Sequence, residues 1–156
     1  MAKKAVILMN LGSPDSTSVK DVRKYLQQFL MDERVIDIPF LARFLLINGI
    51  IVPFRAPKSA EAYKTIWTDE GSPLVVLTKQ LQSALQEQVS VPVEVAMRYG
   101  NPSVTAKIQQ MKDQGCDRIL VAPMYPQYSG ATTASAMDAV GAALKAMRWQ
   151  PAIRTL

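Results

Sequence analysis

The chain has 156 residues, of which 49% are hydrophobic, 20% charged and 7% aromatic, a composition that fits one soluble globular domain and excludes a disordered or collagen-like chain. Lys and Arg number 18 against 13 Asp and Glu, a net charge of +5, but the cations are scattered, which favours solubility and attraction to anions over a nucleic-acid footprint. Histidine is absent and cysteine occurs once, so Ser-His-Asp, Cys-His and His-based metal sites are excluded and no internal disulfide can form.

Residues 5–11 are a continuous apolar run closed by Gly12-Ser13-Pro14, the pattern of a strand buried on both faces in a parallel sheet. Its apolar part, followed by Asn10 and Gly12, is too short for a secretory h-region, and a lone thiol suits a reducing compartment, so a cytoplasmic location is expected. Ser18 offers an N-cap to a helix in which Val19, Val22, Tyr25, Leu26, Phe29 and Leu30 recur three and four apart.

Residues 36–53 are nearly all apolar, broken by Asp37, Arg43 and Asn48, and the stretch is too short and too interrupted for a membrane span. It is either a helix buried in the core or a partly exposed apolar lip that touches a greasy ligand or a bilayer surface. Residues 57–67 read as a helix with Pro57 in its first turn. Ser72 and Pro73 suit the N-cap and first position of another, with Leu74, Leu77, Leu81 and Leu85 as its buried stripe.

The second strand is expected over 91–99, then a helix over 103–114 closed by Gly115, whose lack of a side chain suits the left-handed conformation beyond a helix end. A third strand follows over 118–124, an alanine-rich helix over 132–147 and a fourth strand over 151–156. Strands alternating with helices predict a doubly wound parallel α/β sheet of about four strands in one domain, 1–156. With no helix after the last strand, one face of the sheet is expected to lack its cover and the polypeptide to have been cut. The uncovered edge predicts self-association.

Ligands of open α/β sheets bind beyond the carboxyl ends of the strands, which points to 10–14, 98–103 and 124–133. These supply Asn10, Leu11, Gly12 and Ser13, then Arg98, Tyr99 and Asn101, then Tyr125, Gln127, Tyr128, Ser129, Thr132 and Thr133. Neither Gly-x-Gly-x-x-Gly nor a phosphate-loop motif is present, which argues against a nucleotide. Arg98 is either a surface charge paired with an acid or a contact to an anion. Tyr125 is either a wedge between strand and loop or a ligand contact. Cys116 reads as a small buried residue rather than a nucleophile, and Met97, Met124 and Met137 as core filler.

Taken together, MNLGSP at 9–14, PFRAPKSAEAYKTIW at 53–67, GSPL at 71–74, MRYGNPS at 97–103 and APMYPQYSGATT at 122–133 resemble the ferrochelatase family, in order and at matching spacing over essentially the whole chain. The resemblance implies the first of two Rossmann-like α/β domains of a class II chelatase fold, with a porphyrin cleft between them. It also implies insertion of ferrous iron into protoporphyrin IX, the last step of haem biosynthesis. The catalytic His and Glu of the family are expected beyond Leu156, so this half alone should be inactive and supply one wall of the cleft.

By the same resemblance, Leu11 matches an apolar porphyrin contact and Leu26, Phe29 and Leu30 the mouth of the pocket. Arg55 matches an arginine that binds a propionate, with Tyr63 and Ser72 as polar contacts on that side. Arg98 and Tyr99 match an Arg-Tyr pair on the metal side, and Tyr125 the tyrosine after the third strand. Residues 40–54 match a lip that meets the membrane, which implies peripheral contact with the inner membrane. Two departures stand out. Gly130 occupies a segment where cluster-bearing members have a cysteine, so no iron–sulfur ligand and no bound cofactor are expected from this half. Phe54 replaces the first of two adjacent arginines, leaving Arg55 alone. The competing expectations are a half-size chelatase that dimerises and a non-catalytic porphyrin- or anion-binding module.

Overall fold

A computed structural model describes residues 3–156. In chain order the elements are β1 (Lys4–Ser13), α1 (Val19–Leu30), α2 (Phe40–Leu46), a π-helical turn (Ile47–Ile51), α3 (Val52–Ile66), α4 (Pro73–Gln88), β2 (Val93–Gly100), α5 (Val104–Asp113), β3 (Arg118–Pro123), a second π-helical turn (Gly130–Ala134), α6 (Ser135–Met147) and β4 (Ala152–Thr155). They fall into two compact units: residues up to Leu11 with Leu77–Arg98 and Pro102–Leu156, and Gly12–Val76 with Tyr99–Asn101.

The first unit is built on a four-stranded parallel sheet in the order β2-β1-β3-β4. Lys4 to Met9 of β1 register against Arg118 to Pro123 of β3, and Arg118 to Val121 against Ala152 to Thr155 of β4. Because side chains alternate across a strand, Ala5, Ile7 and Met9 share a face with Ile119 and Val121, and these pack with Ile108 and Met111 of α5 and Ala136, Val140 and Ala143 of α6 into the main core. Ser103 caps α5 through the Ala106 N–H, and Gly115 beyond its end holds φ +75°, as the spacing predicted. Cys116 is buried in this core, in keeping with a packing role.

The opposite face of that sheet is covered unevenly. Gln82 of α4 donates to the Val93 carbonyl at 2.7 Å and Gln86 accepts from the Val93 N–H at 2.8 Å, which ties α4 to the start of β2. Nearer β3 and β4 the face is open, and Val6 and Leu120 are only half-buried, as the missing cover predicted. The expected stripe on α4 needs correction: Leu77 is 62% and Leu81 42% exposed, and the buried residue is Thr78. Thr78 accepts from the Asn10 amide at 3.1 Å, so the inward face of α4 is chosen by a polar contact and two glutamines, which hydrophobic spacing does not show.

The second unit is helical. Val22, Tyr25, Leu26 and Leu30 form the buried face of α1, and α3 packs on α1 with Val52, Ala56 and Ala60 inward. These three sit four apart, so they form one stripe whose small side chains let two helices approach closely. A second correction falls here: helix runs from Phe40 to Ile66 without a break, so Pro57 lies inside α3 rather than in a first turn, and Pro53 is the second residue of α3, directly after the π-helical turn. Of the two readings of 36–53, a helix buried in the core does not hold, since Phe40, Leu41, Phe44, Leu45 and Ile50 are exposed, as is Phe54 just beyond. The helix is also long and apolar enough, by length and composition alone, to cross a membrane, a length hidden by ending it at Pro53.

Candidate functional site

Three of the ten assigned positions lie in the first unit and seven in the second. In the first, parallel pairing brings the carboxyl ends of β1 and β3 side by side, with the Met124 N–H donating to the Met9 carbonyl at 2.7 Å. Leu11 lies in the last residues of β1 beyond the stretch paired with β3, and Tyr125 follows the end of β3, the topological position expected of a ligand site. The Asn10 side chain folds back to accept from the Leu11 N–H at 2.8 Å, which fixes the backbone as β1 ends.

Arg98 donates through Nε to the Ser135 hydroxyl at 2.6 Å, at the start of α6. Tyr125 lies close enough to Arg98 to feel its charge. Burial holds the Tyr125 phenol above its ordinary value of 10.0, and the neighbouring guanidinium opposes that rise. Its hydroxyl is buried without a partner among the described residues, a costly arrangement for a polar group. Ser135 was missed by sequence reasoning because it lies 37 residues from Arg98 and carries no motif.

In the second unit an aromatic cluster gathers Phe29, Tyr63 and Tyr99 around Tyr25. Tyr25 stacks on Phe29 with centroids 6.3 Å apart, and meets Tyr63 and Tyr99 edge-on at 6.4 and 6.5 Å. Phe29 and Tyr99 are edge-on at 5.3 Å, and Trp67 extends the cluster beyond Tyr63 at 6.1 Å. Such contacts add roughly 0.5–1.5 kcal/mol each beyond the area they bury. Tyr25 is the hub, and its place on the apolar face of α1 was its only signal in the sequence.

Tyr99 is 2% exposed and donates to Asp32 at 2.7 Å. Leu26 and Leu30 are likewise interior, whereas the rings of Phe29 and Tyr63 are half-buried. Burial raises the Tyr63 phenol above 10.0, opposed by a hydrogen bond with Tyr25 and by the charge of Arg55. Arg55 itself is exposed on α3, and no described residue pairs with it, so its guanidinium is open to a carboxylate. Ser72 is buried at the start of α4, where its carbonyl accepts from the Val76 N–H. Behind the loop after β1, Gly100 at φ +79° brings its Cα so close to Ser13 that a Cβ would lie 2.5 Å from the Ser13 carbonyl oxygen.

A parallel α/β sheet with flanking helices, and with polar and aromatic groups near its strand ends, defines an α/β domain of the class that binds ligands at those ends. A family model for Ferrochelatase matches residues 3–156. The ferrochelatase of Nitrosomonas europaea is 47% identical over 162 aligned residues, covering 100% of this chain and 44% of that protein. Those of Idiomarina loihiensis and Vibrio vulnificus are 43% and 44% identical, each over 97% of this chain and over 43% and 48% of their own lengths. The chain belongs to the ferrochelatase family, and spans a little under half the length of these curated relatives.

Proposed function

We propose that this chain acts as the N-terminal half of a ferrochelatase, the lyase that inserts ferrous iron into protoporphyrin IX at the end of haem biosynthesis. The observation that carries this reading is the family match over residues 3–156, together with relatives of which the chain spans less than half. Iron insertion needs the macrocycle gripped and bent, its two pyrrole protons removed, and the metal stripped of water. This half supplies the grip. In the helical unit Arg55 binds a propionate and the rings of Phe29 and Tyr63 offer aromatic surface; in the sheet unit Leu11 offers apolar surface and Arg98, beside Tyr125, a cation.

With no histidine in its sequence, this half lacks the catalytic imidazole that the family resemblance places beyond Leu156. It is therefore proposed to be inactive by itself. It contributes no ligand to an iron–sulfur cluster, since Gly130 stands in the relevant segment. The exposed apolar side chains of 40–54 provide peripheral contact with the inner membrane of a protein that is otherwise cytoplasmic. A binding module without turnover is the second reading, favoured by Arg55, which has no partner among the described residues.

The test is a protoporphyrin titration followed by fluorescence, run beside an iron-insertion assay on the purified chain. Binding weakened about tenfold by Arg55→Glu, the loss of one charge-assisted contact, without turnover in either protein, is the expected outcome. Iron insertion by the chain alone would overturn the proposed inactivity, and affinity indifferent to Arg55→Glu would remove that residue from the site.

A further inference from the structure

β2 is an edge strand of the sheet in the first unit, so every second residue turns its N–H and C=O away from β1. The Pro92 carbonyl accepts from the Val6 N–H at 2.8 Å, which fixes the parity: Val93, Val95 and Met97 face outward. Two of these positions are closed from within the unit. The Val93 carbonyl and N–H are taken by the side-chain amides of Gln82 and Gln86, and the Met97 N–H donates to the Pro102 carbonyl at 2.7 Å. Val95, between them, is only 2% exposed, and among the described residues no hydrogen-bond partner reaches its outward N–H or carbonyl. A peptide group buried without a partner is rare and costly.

Val95 lines a cavity of about 250 Å³ with Lys79, Gln82, Pro102 and Lys107, far more than the roughly 10–15 Å³ that one water needs. Lys107 is already committed, its Nζ donating to Glu94 at 2.7 Å and to Gln110 at 3.0 Å. The Lys79 ammonium has no partner among the described residues, so the cavity sets one uncompensated positive charge beside a free peptide donor and acceptor. At Val93 the two glutamines show what completes such a position: one amide donor and one carbonyl acceptor. In antiparallel pairing a single residue supplies both, exchanging two N–H···O bonds with the residue opposite. We propose that the cavity binds an N-acylated amino acid through its α-carboxylate, either free or as the last residue of a peptide. The ligand's amide N–H donates to the Val95 carbonyl, and its carboxylate accepts from the Val95 N–H and from Lys79. A bare anion would leave the Val95 carbonyl unpaired, and a longer strand would run into the occupied positions at Val93 and Met97, so the edge admits one residue.

The experiment titrates the isotope-labelled chain with N-acetylalanine and follows the Val95 amide resonance by NMR. The resonance is expected to shift with millimolar affinity, about tenfold tighter than for N-acetylalanine amide or for acetate. Lys79 is exposed, so Lys79→Glu should keep the fold and weaken binding about tenfold, whereas Lys145→Glu, the same change of net charge on α6, should leave it unaltered. Trialanine separates the two sources of this chemistry: binding at least as tight as that of N-acetylalanine assigns the cavity to peptide ends, and exclusion assigns it to the free acids. No shift up to about 50 mM N-acetylalanine would leave Val95 to ordered water and overturn the proposal. So would acetate that binds as tightly as N-acetylalanine, or an affinity indifferent to Lys79→Glu.

Discussion

Tyr63 and Tyr125 are phenols whose surroundings change their acidity, and in both the larger cause is burial. Each is raised above 10.0, so the folded state prefers the protonated form, and the stabilisation is complete below the unfolded value and lost as pH rises through the folded one. Stability to urea should therefore fall as pH rises above 10.0, the ordinary phenol value, more steeply in the wild type than in Tyr63→Phe/Tyr125→Phe. Comparing the two proteins subtracts the lysines, which titrate in the same range. Identical pH slopes would mean that neither ring is shielded in solution. Because Arg55 and Arg98 oppose the two rises, Arg55→Gln should move the Tyr63 phenol further upward, visible in its ultraviolet titration.

At the scale of elements, the helix from Phe40 to Ile66 is the part that departs most from its sequence pattern. Phe40, Leu41, Phe44, Leu45, Ile50 and Phe54 form its exposed apolar surface, with Phe54 at 74%. Burying a large apolar side chain is worth roughly 1.5–3 kcal/mol, so a few suffice for reversible attachment to a bilayer surface. The chain should co-sediment with phospholipid vesicles, and Phe40→Ser/Phe44→Ser/Phe54→Ser should weaken this at least about tenfold; equal partitioning of both proteins would sink the idea.

Where the chain obeys simple spacing, its fold was legible: the continuous apolar runs became β1 and β3, and Ser103 and Gly115 bracketed α5. Pro53 and Pro57 misled, because proline was weighed by its missing N–H, while the stripe Val52, Ala56 and Ala60 packing on α1 sets the course of α3. On α4 the leucines misled in the opposite direction, since Gln82, Gln86 and Thr78 turn the helix by hydrogen bonds that no periodicity reveals. Of the site, Arg98, Tyr99 and Tyr125 were placed at strand ends by topology. The partners that define their chemistry, Ser135 and Asp32, come from distant segments and had no local signal.

For the whole molecule, exposed apolar surface and net charge act against each other. Leu77 and Leu81 on α4 join the exposed residues of α2 and α3 as apolar side chains left in water, and such patches favour association. A net charge of +5 keeps copies apart through a repulsion that salt screens within about 10 Å at 0.1 M. Self-association should therefore strengthen as salt rises, the reverse of what contacts made by opposite charges would do. Sedimentation velocity at about 50 and 500 mM NaCl should show the weight-average mass climbing with salt. Leu77→Gln/Leu81→Gln should reduce that climb at a stability cost below about 0.5 kcal/mol for each exposed position. A monomer at both salts would show that these leucines stay solvated without partners, and a mass that falls with salt would assign the association to ion pairs instead.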